Sequence, residues 1–228
     1  RGSKAVHTLW GNRVSILVGD HIFADMSEML VEADNREIMK VIVVAVREMC
    51  DGELAELQNS FNFGLDEKTY IKIIRSKTAS LFSAACEVGS MLGGANRAER
   101  EKLRLYGLDA GTAFQITDDI LDYTSTSGNM GKPVGSDLFD GKITLPLIKA
   151  LKNADSGKKE SMVRILRRAL KKRVDSSNGM PPGAFAEVRR MIEERSGVEK
   201  ALETAAKYSA SAKGRLDCLR NTVAKREL

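Results

Sequence analysis

Aromatic residues make up only 5% of the 228-residue chain, so its 43% hydrophobic content is mostly aliphatic, as in helical proteins. That content is enough for a substantial core and excludes bulk disorder. Cysteine is scarce. Cys50, Cys86 and Cys218 have no paired spacing and are odd in number, so a disulfide framework is excluded. Free thiols in a reducing, cytoplasmic compartment are expected. No apolar run is long enough to span a bilayer; the longest, Val41 to Val46, suits a buried helix segment. The net charge of +5 is modest. Its densest basic cluster, Arg164, Arg167, Arg168, Lys171, Lys172 and Arg173, reads as a solvated helix face and not as a nucleic-acid footprint. There is neither an internal repeat nor a β-periodicity, so the fold class expected is all-α, one domain over residues 1–228. No signal-peptide pattern is present, and the chain starts at Arg1 without a methionine. A longer parent is therefore expected, with organellar targeting upstream of Arg1 left open.

What is present is organised around Phe114-Gln115-Ile116-Thr117-Asp118-Asp119-Ile120-Leu121-Asp122. Leu103, Tyr106, Ala110, Ala113, Phe114 and Leu121 recur at helical spacing without a proline, which predicts an amphipathic helix whose apolar stripe is these residues. On it Gly111, Gln115, Asp118 and Asp122 are four, three and four apart and share a face, with Asp119 beside them. Three carboxylates this close repel one another unless a cation neutralises them. Carboxylate oxygens suit hard divalent ions, and Mg²⁺ binds through one or two carboxylates plus substrate phosphates. Gly111 leaves room for something to approach. The following run, Ser127 to Pro146, holds four glycines with Lys132 and Lys142, and reads as a mobile cationic cover for a phosphorylated ligand.

The remaining chain reads as further helices. Asn12 is expected to cap a helix over 13–31, with Val14, Leu17, Val18, Ile22 and Met29 as a core stripe and His21 packed within it. Asn35 opens a helix over 36–57, and Asp66 one over 67–92 that buries Ile71, Ile74, Thr78, Leu81, Ala85, Val88 and Leu92. Lys77 lies in the middle of that helix, where a lysine needs an anionic partner or a route to water. Small residues Ala79, Ser83, Ala84, Ala85 and Gly89 permit close helix contacts. Pro146 suits the first turn of another helix. Helices over 161–172, 184–194 and 198–219 follow, with a loop over 176–183.

FQxxDDxxD over 114–122, GKxxGxD over 131–137 and GKxTLP over 141–146 together resemble the second aspartate-rich region of the trans-isoprenyl diphosphate synthases. The likeness is greatest to long-chain polyprenyl synthases of the octaprenyl and solanesyl type. Lys77-Thr78-Ala79-Ser80-Leu81-Phe82 resembles their KTxxLF segment. Gly19-Asp20 resembles a recurrent pair on a tunnel-lining helix, and Gly52 to Gln58 resembles a packing or dimer-contact segment. The resemblance implies a helical bundle around a central cavity and a homodimer. It implies Mg²⁺-dependent condensation of isopentenyl diphosphate with an allylic diphosphate to a trans-polyprenyl diphosphate. Asp118, Asp119 and Asp122 would hold the metal. Lys77, Thr78, Gln115, Lys132 and Lys142 would bind diphosphate, with Lys77, Lys132 and Asp118 closest to the chemistry. Arg1 would hold the diphosphate of isopentenyl diphosphate. The chain departs from the pattern at Lys4-Ala5, where Pro-Thr is usual, and at Asp25, where arginine is common. The first aspartate-rich motif would precede Arg1 and is not in this sequence, and a last helix after 219 is also missing. A retained part of a longer synthase is expected; the alternative is a non-catalytic partner subunit of a heteromeric synthase.

Overall fold

The helix starts follow from local chemistry. Asn35 accepts the backbone N–H groups of Glu37 and Ile38 and opens α2 (Arg36–Gln58). Asp66 accepts the Thr69 N–H and opens α3 (Glu67–Ile74). The computed structural model describes residues 5–125, 135–171, 182–219, 223 and 225. Among these no strand occurs. Before α2 lies α1 (Val6–Glu32). It begins seven residues before the expected start, without a side-chain cap, and Gly11 (φ 80°, ψ 169°) breaks it internally. Asn12 therefore sits just after a kink instead of capping. The expected helix over 67–92 exists as three joined parts: α3, a π-helical turn (Arg75–Ala79) and α4 (Ser80–Leu92).

Next comes α5 (Arg97–Thr124), opened by a reciprocal cap. Asn96 accepts the N–H groups of Ala98 and Glu99, and Glu99 accepts the N–H of Asn96. Replacing Asn96 by Ala is expected to cost about 1 kcal/mol, a fall of about 2–4 °C in Tm by thermal melting.

Packing overturns the expected face of α5. Phe114 and Leu121 are exposed, whereas Gly107, Asp109, Gly111, Thr112, Ile116, Asp119, Ile120, Asp122 and Tyr123 are buried. The buried side is the one carrying small and acidic residues, because it lies against the small-residue side of α4 and the π turn. A Cβ on Gly107 would sit 2.4 Å from the Phe82 carbonyl oxygen, and one on Gly111 2.8 Å from the Ala79 Cα. So what approaches Gly111 is a neighbouring helix. Ser83 reinforces the contact by donating to the Arg104 carbonyl. The same preference corrects α4: Ser80, Ser83, Ala84 and Ser90 are buried, while Leu81, Ala85 and Leu92 are exposed and Thr78, Ile71 and Val88 only half-buried.

The chain continues through α6 (Ser136–Phe139), α7 (Leu145–Asn153, with Pro146 in its first turn), α8 (Ser156–Lys171), α9 (Pro182–Glu193) and α10 (Gly197–Arg215), then a 3₁₀ turn (Leu216–Cys218). Their apolar faces meet Ile116, Ile120 and Tyr123 in one core with Leu145, Leu147, Leu166, Val188 and Ile192. Helix α10 packs along α5, as α4 does. Asp109, buried on α5, ties three elements together by accepting from Arg75 (2.9 Å) and from Ser211 (2.8 Å).

α1 contradicts its expected burial. None of its residues is buried; Trp10, Val14, Leu17, Val18, Ile22 and Met29 are exposed, and so is His21, which lies 3.8 Å from Asp25. The apolar stripe is real, and among the described residues α2 packs against the C-terminal part of α1. Among the described residues no helix is long and apolar enough to cross a membrane.

Candidate active site

The aspartates of α5 sit at the wall of a cavity of about 310 Å³. Its lining comes from α2 (Glu56), α3 and the π turn (Tyr70, Lys77, Thr78), α5 (Gln115, Asp118, Asp119, Asp122) and the segment from α6 to α7 (Ser136, Asp137, Lys142, Thr144). Leu65, Ile73, Ile74 and Ile143 supply apolar wall.

The three aspartates differ in surroundings. Asp119 is buried; it accepts from the Tyr70 hydroxyl (2.5 Å) and the Gln115 amide (2.8 Å), and Thr78 in turn donates to Gln115 (2.8 Å). Burial pushes the Asp119 carboxyl up to about 7; the Tyr70 and Gln115 hydrogen bonds oppose this, and the charges of Asp137 and Asp118 add to it. Asp122 accepts from Ser136 (3.3 Å) and the Asp137 N–H (3.2 Å). Its carboxyl is pushed up to about 6 by burial and the Asp137 charge, against those hydrogen bonds. Asp118 is exposed, and among the described residues no hydrogen bond or ion pair holds it.

The cations are already paired. Lys77 meets Glu53 (2.8 Å) and Glu56 (2.5 Å) of α2. Burial pulls its pKa down, but these two carboxylates outweigh that and leave it above the ordinary lysine value. Lys142 pairs with Asp137 (2.9 Å), which likewise outweighs the effect of burial.

These shifts fix a pH dependence. Asp119 and Asp122 bind protons more tightly folded than unfolded. The stability that these two groups contribute is fully present below the ordinary carboxylate range and is lost as pH rises through about 6 to about 7. Metal-free protein is expected to melt several degrees lower at pH 8 than at pH 5, a difference of about 1–3 kcal/mol, and added divalent cation should narrow the gap at pH 8. Thermal melts with and without a chelator check this.

A family model described as polyprenyl synthetase matches residues 1–178. The chain belongs to this family. The heptaprenyl diphosphate synthase component 2 of Geobacillus stearothermophilus is 38% identical over 151 residues, which are 66% of this chain and 47% of that protein. The short chain isoprenyl diphosphate synthase of Methanothermobacter thermautotrophicus is 34% identical over 100% of this chain and 68% of its own length. A polyprenyl synthase from Caulobacter crescentus CB15, solved with calcium and isoprenyl diphosphate, superposes with a TM-score of 0.87 at 35% identity, over 98% of this chain and 66% of that one. The chain thus spans about half to two-thirds of the length of these polyprenyl synthetases.

The expected residues Lys77, Thr78, Gln115, Asp118, Asp119, Asp122 and Lys142 all line one cavity. Arg1 and Lys132, with the part of the glycine-rich run before Gly135, lie outside the described residues. Lys77 meets Glu53 and Glu56, so the segment from Gly52 to Gln58, read from sequence as packing or dimer contact, packs on the π turn through Gly52 and also gives Glu56 to the cavity wall. Sequence reasoning also missed Tyr70 and Asp137. Asp137 closes the GKxxGxD motif, which was an available signal, whereas Tyr70 lies in none of the motifs. Among the described residues no three His, Cys, Asp or Glu side chains converge as a ready metal-ligand set. One free carboxylate beside two whose protons are held tightly is nevertheless a donor set that fits a hard cation sharing its coordination with phosphate oxygens.

Proposed function

We propose that this protein is a Mg²⁺-dependent prenyltransferase, cytoplasmic and homodimeric. It condenses isopentenyl diphosphate with an allylic diphosphate to make a trans-polyprenyl diphosphate. The observation that carries this reading is the convergence of Asp118, Asp119 and Asp122 with Gln115, Thr78, Lys77 and Lys142 on one cavity. Membership of the family, and the calcium and isoprenyl diphosphate bound by the Caulobacter relative, support it.

Asp118, Asp119 and Asp122 would hold the metal, which when bound supplies neutralising charge to the leaving diphosphate. Lys77 and Lys142 add positive charge where negative charge grows as the allylic C–O bond breaks. Gln115, held between Thr78 and Asp119, keeps that carboxylate oriented. Ile73, Ile74 and Ile143 keep water from the allylic cation. The π-electrons of isopentenyl diphosphate form the new C–C bond, and the proton then lost goes to the released pyrophosphate. Lys132 and Arg1 take the roles the resemblance implies, on the diphosphates of the allylic substrate and of isopentenyl diphosphate. The exposed apolar side of α1 supports the homodimer.

A second reading, a partner subunit of a two-component synthase, draws support from the likeness to a heptaprenyl synthase component 2. An assay with labelled isopentenyl diphosphate and farnesyl diphosphate, with and without Mg²⁺, separates the two. Mg²⁺-dependent extension is expected, and the longest product gives the chain length. No extension by folded protein of verified intact mass would sink the catalytic reading and leave the subunit.

A further inference from the structure

Lys77 lies in the cavity wall, and α2 is shaped to hold it. A Cβ on Gly52 would lie 2.4 Å from the Lys77 backbone nitrogen, so the absent side chain at Gly52 lets α2 press directly on the π turn. Glu53 and Glu56, three residues apart on the same helix, then both reach the Lys77 ammonium. Glu56 is the more buried of the two and itself lines the cavity; its side chain is 21% exposed against 52% for Glu53. Its field also reaches Lys142. A cavity read as binding diphosphate thus contains a carboxylate on the very group that would meet the ligand.

We infer that Glu56, assisted by Glu53, is a positioning residue that competes with diphosphate for Lys77, weakening diphosphate binding and speeding its release. This rests on the proposed diphosphate-binding role of the cavity. An incoming diphosphate either displaces Glu56 from Lys77 or takes the remaining ammonium hydrogen beside it. In both cases two anions meet at one cation, so affinity falls. For a product that must leave after every condensation, such an internal anion reduces the residence time of pyrophosphate. It also keeps Lys77 charged and oriented when no ligand is bound.

The test is titration of inorganic pyrophosphate, at fixed Mg²⁺, into wild type, Glu56→Gln, Lys77→Gln and the double variant, with pyrophosphate inhibition of turnover measured alongside. Glutamine keeps the shape and one acceptor but removes the charge. Glu56→Gln is expected to bind pyrophosphate about 10- to 100-fold more tightly, the worth of one hydrogen bond to a charged group. It should also lower KM and kcat together. Lys77→Gln should weaken binding, and in that background the Glu56 effect should vanish. A merely structural role for Glu56 would produce neither the tighter binding nor its dependence on Lys77. If Glu56→Gln fails to fold, Glu53→Gln, at its more exposed site, gives the same sign at smaller size. Wild-type binding that Lys77→Gln weakens but neither glutamate variant tightens overturns the inference and leaves the site intact. A Glu56 effect that persists without Lys77 also overturns it. Absence of any pyrophosphate binding by wild type overturns the diphosphate site itself, and the inference with it.

Discussion

Asp118→Ala is expected to cut prenyl-transfer turnover by about 10³-fold while leaving Tm within about 1 °C of wild type. Asp118 is exposed, lines the cavity and makes no hydrogen bond or ion pair among the described residues, so its removal disturbs nothing that holds the fold. Its whole effect should fall on the charge proposed to hold the cation. Asp119→Asn is the informative companion. It should lose comparable activity, but it removes a buried charge that folding must desolvate. Metal-free Asp119→Asn should therefore melt higher than wild type at pH 8, with the difference shrinking toward pH 5, where the native carboxyl is already protonated. Turnover and melting curves measured on the same samples decide the matter. Asp118→Ala protein that keeps a tenth or more of wild-type turnover would remove the aspartates from the chemistry.

Gly107→Ala is expected to lower Tm by about 5–10 °C, the cost of about 2–3 kcal/mol of overpacking between two helices. The new methyl would lie 2.4 Å from the Phe82 carbonyl oxygen and 2.8 Å from the Ser83 Cα, both backbone atoms that no rotamer change can move. Helix propensity argues the other way, since alanine is the better helix former by about 1 kcal/mol. Gly89→Ala isolates that contribution. Gly89 lies in the last turn of α4 with nothing from its surroundings within 4 Å of its would-be Cβ, so the substitution should stabilise by about 0.5 kcal/mol. Thermal or urea unfolding of both variants gives opposite signs if α4 and α5 are packed as described. A Gly107→Ala protein as stable as Gly89→Ala would mean that the two helices stand further apart.

These two glycines also show what could be read from the chain alone. Both sit in helical patterns of small residues, and nothing local separates the one pressed against a backbone from the one facing solvent. The helices themselves were legible, because Asn35, Asp66 and Pro146 act within one turn of where they stand. Faces were harder. In α5 periodicity pointed to Phe114 and Leu121, yet the buried side carries Asp109, Asp119 and Asp122, because partners from other helices satisfy them: Arg75, Ser211 and Tyr70 lie 34, 102 and 49 residues away in sequence. The aspartates and Gln115 were legible as a cavity wall because they are spaced for one face of a helix, and Lys77, Thr78 and Lys142 because their motifs resemble those of the family. Glu56 was not, since a glutamate on an amphipathic helix looks the same whether it meets water or a lysine on another helix. The apolar side of α1 is the converse case: the stripe was read correctly, but the partner that would bury it is not within the described residues.

The π turn at Arg75–Ala79 has a further consequence for how the chain tolerates change in length. A π turn is a regular helix carrying one residue too many. Deleting one residue there would restore unbroken α-helical winding, a locally comfortable outcome. It would also rotate α3 by about 100° relative to α4, the angular share of a single residue. Tyr70 would then swing away from Asp119 while Thr78 stayed beside Gln115. The surplus residue works as a phase shifter, setting two halves of one rod at different angles so that both address the same cavity. Single-residue gaps in this stretch should therefore be far rarer than substitutions among proteins that keep the site.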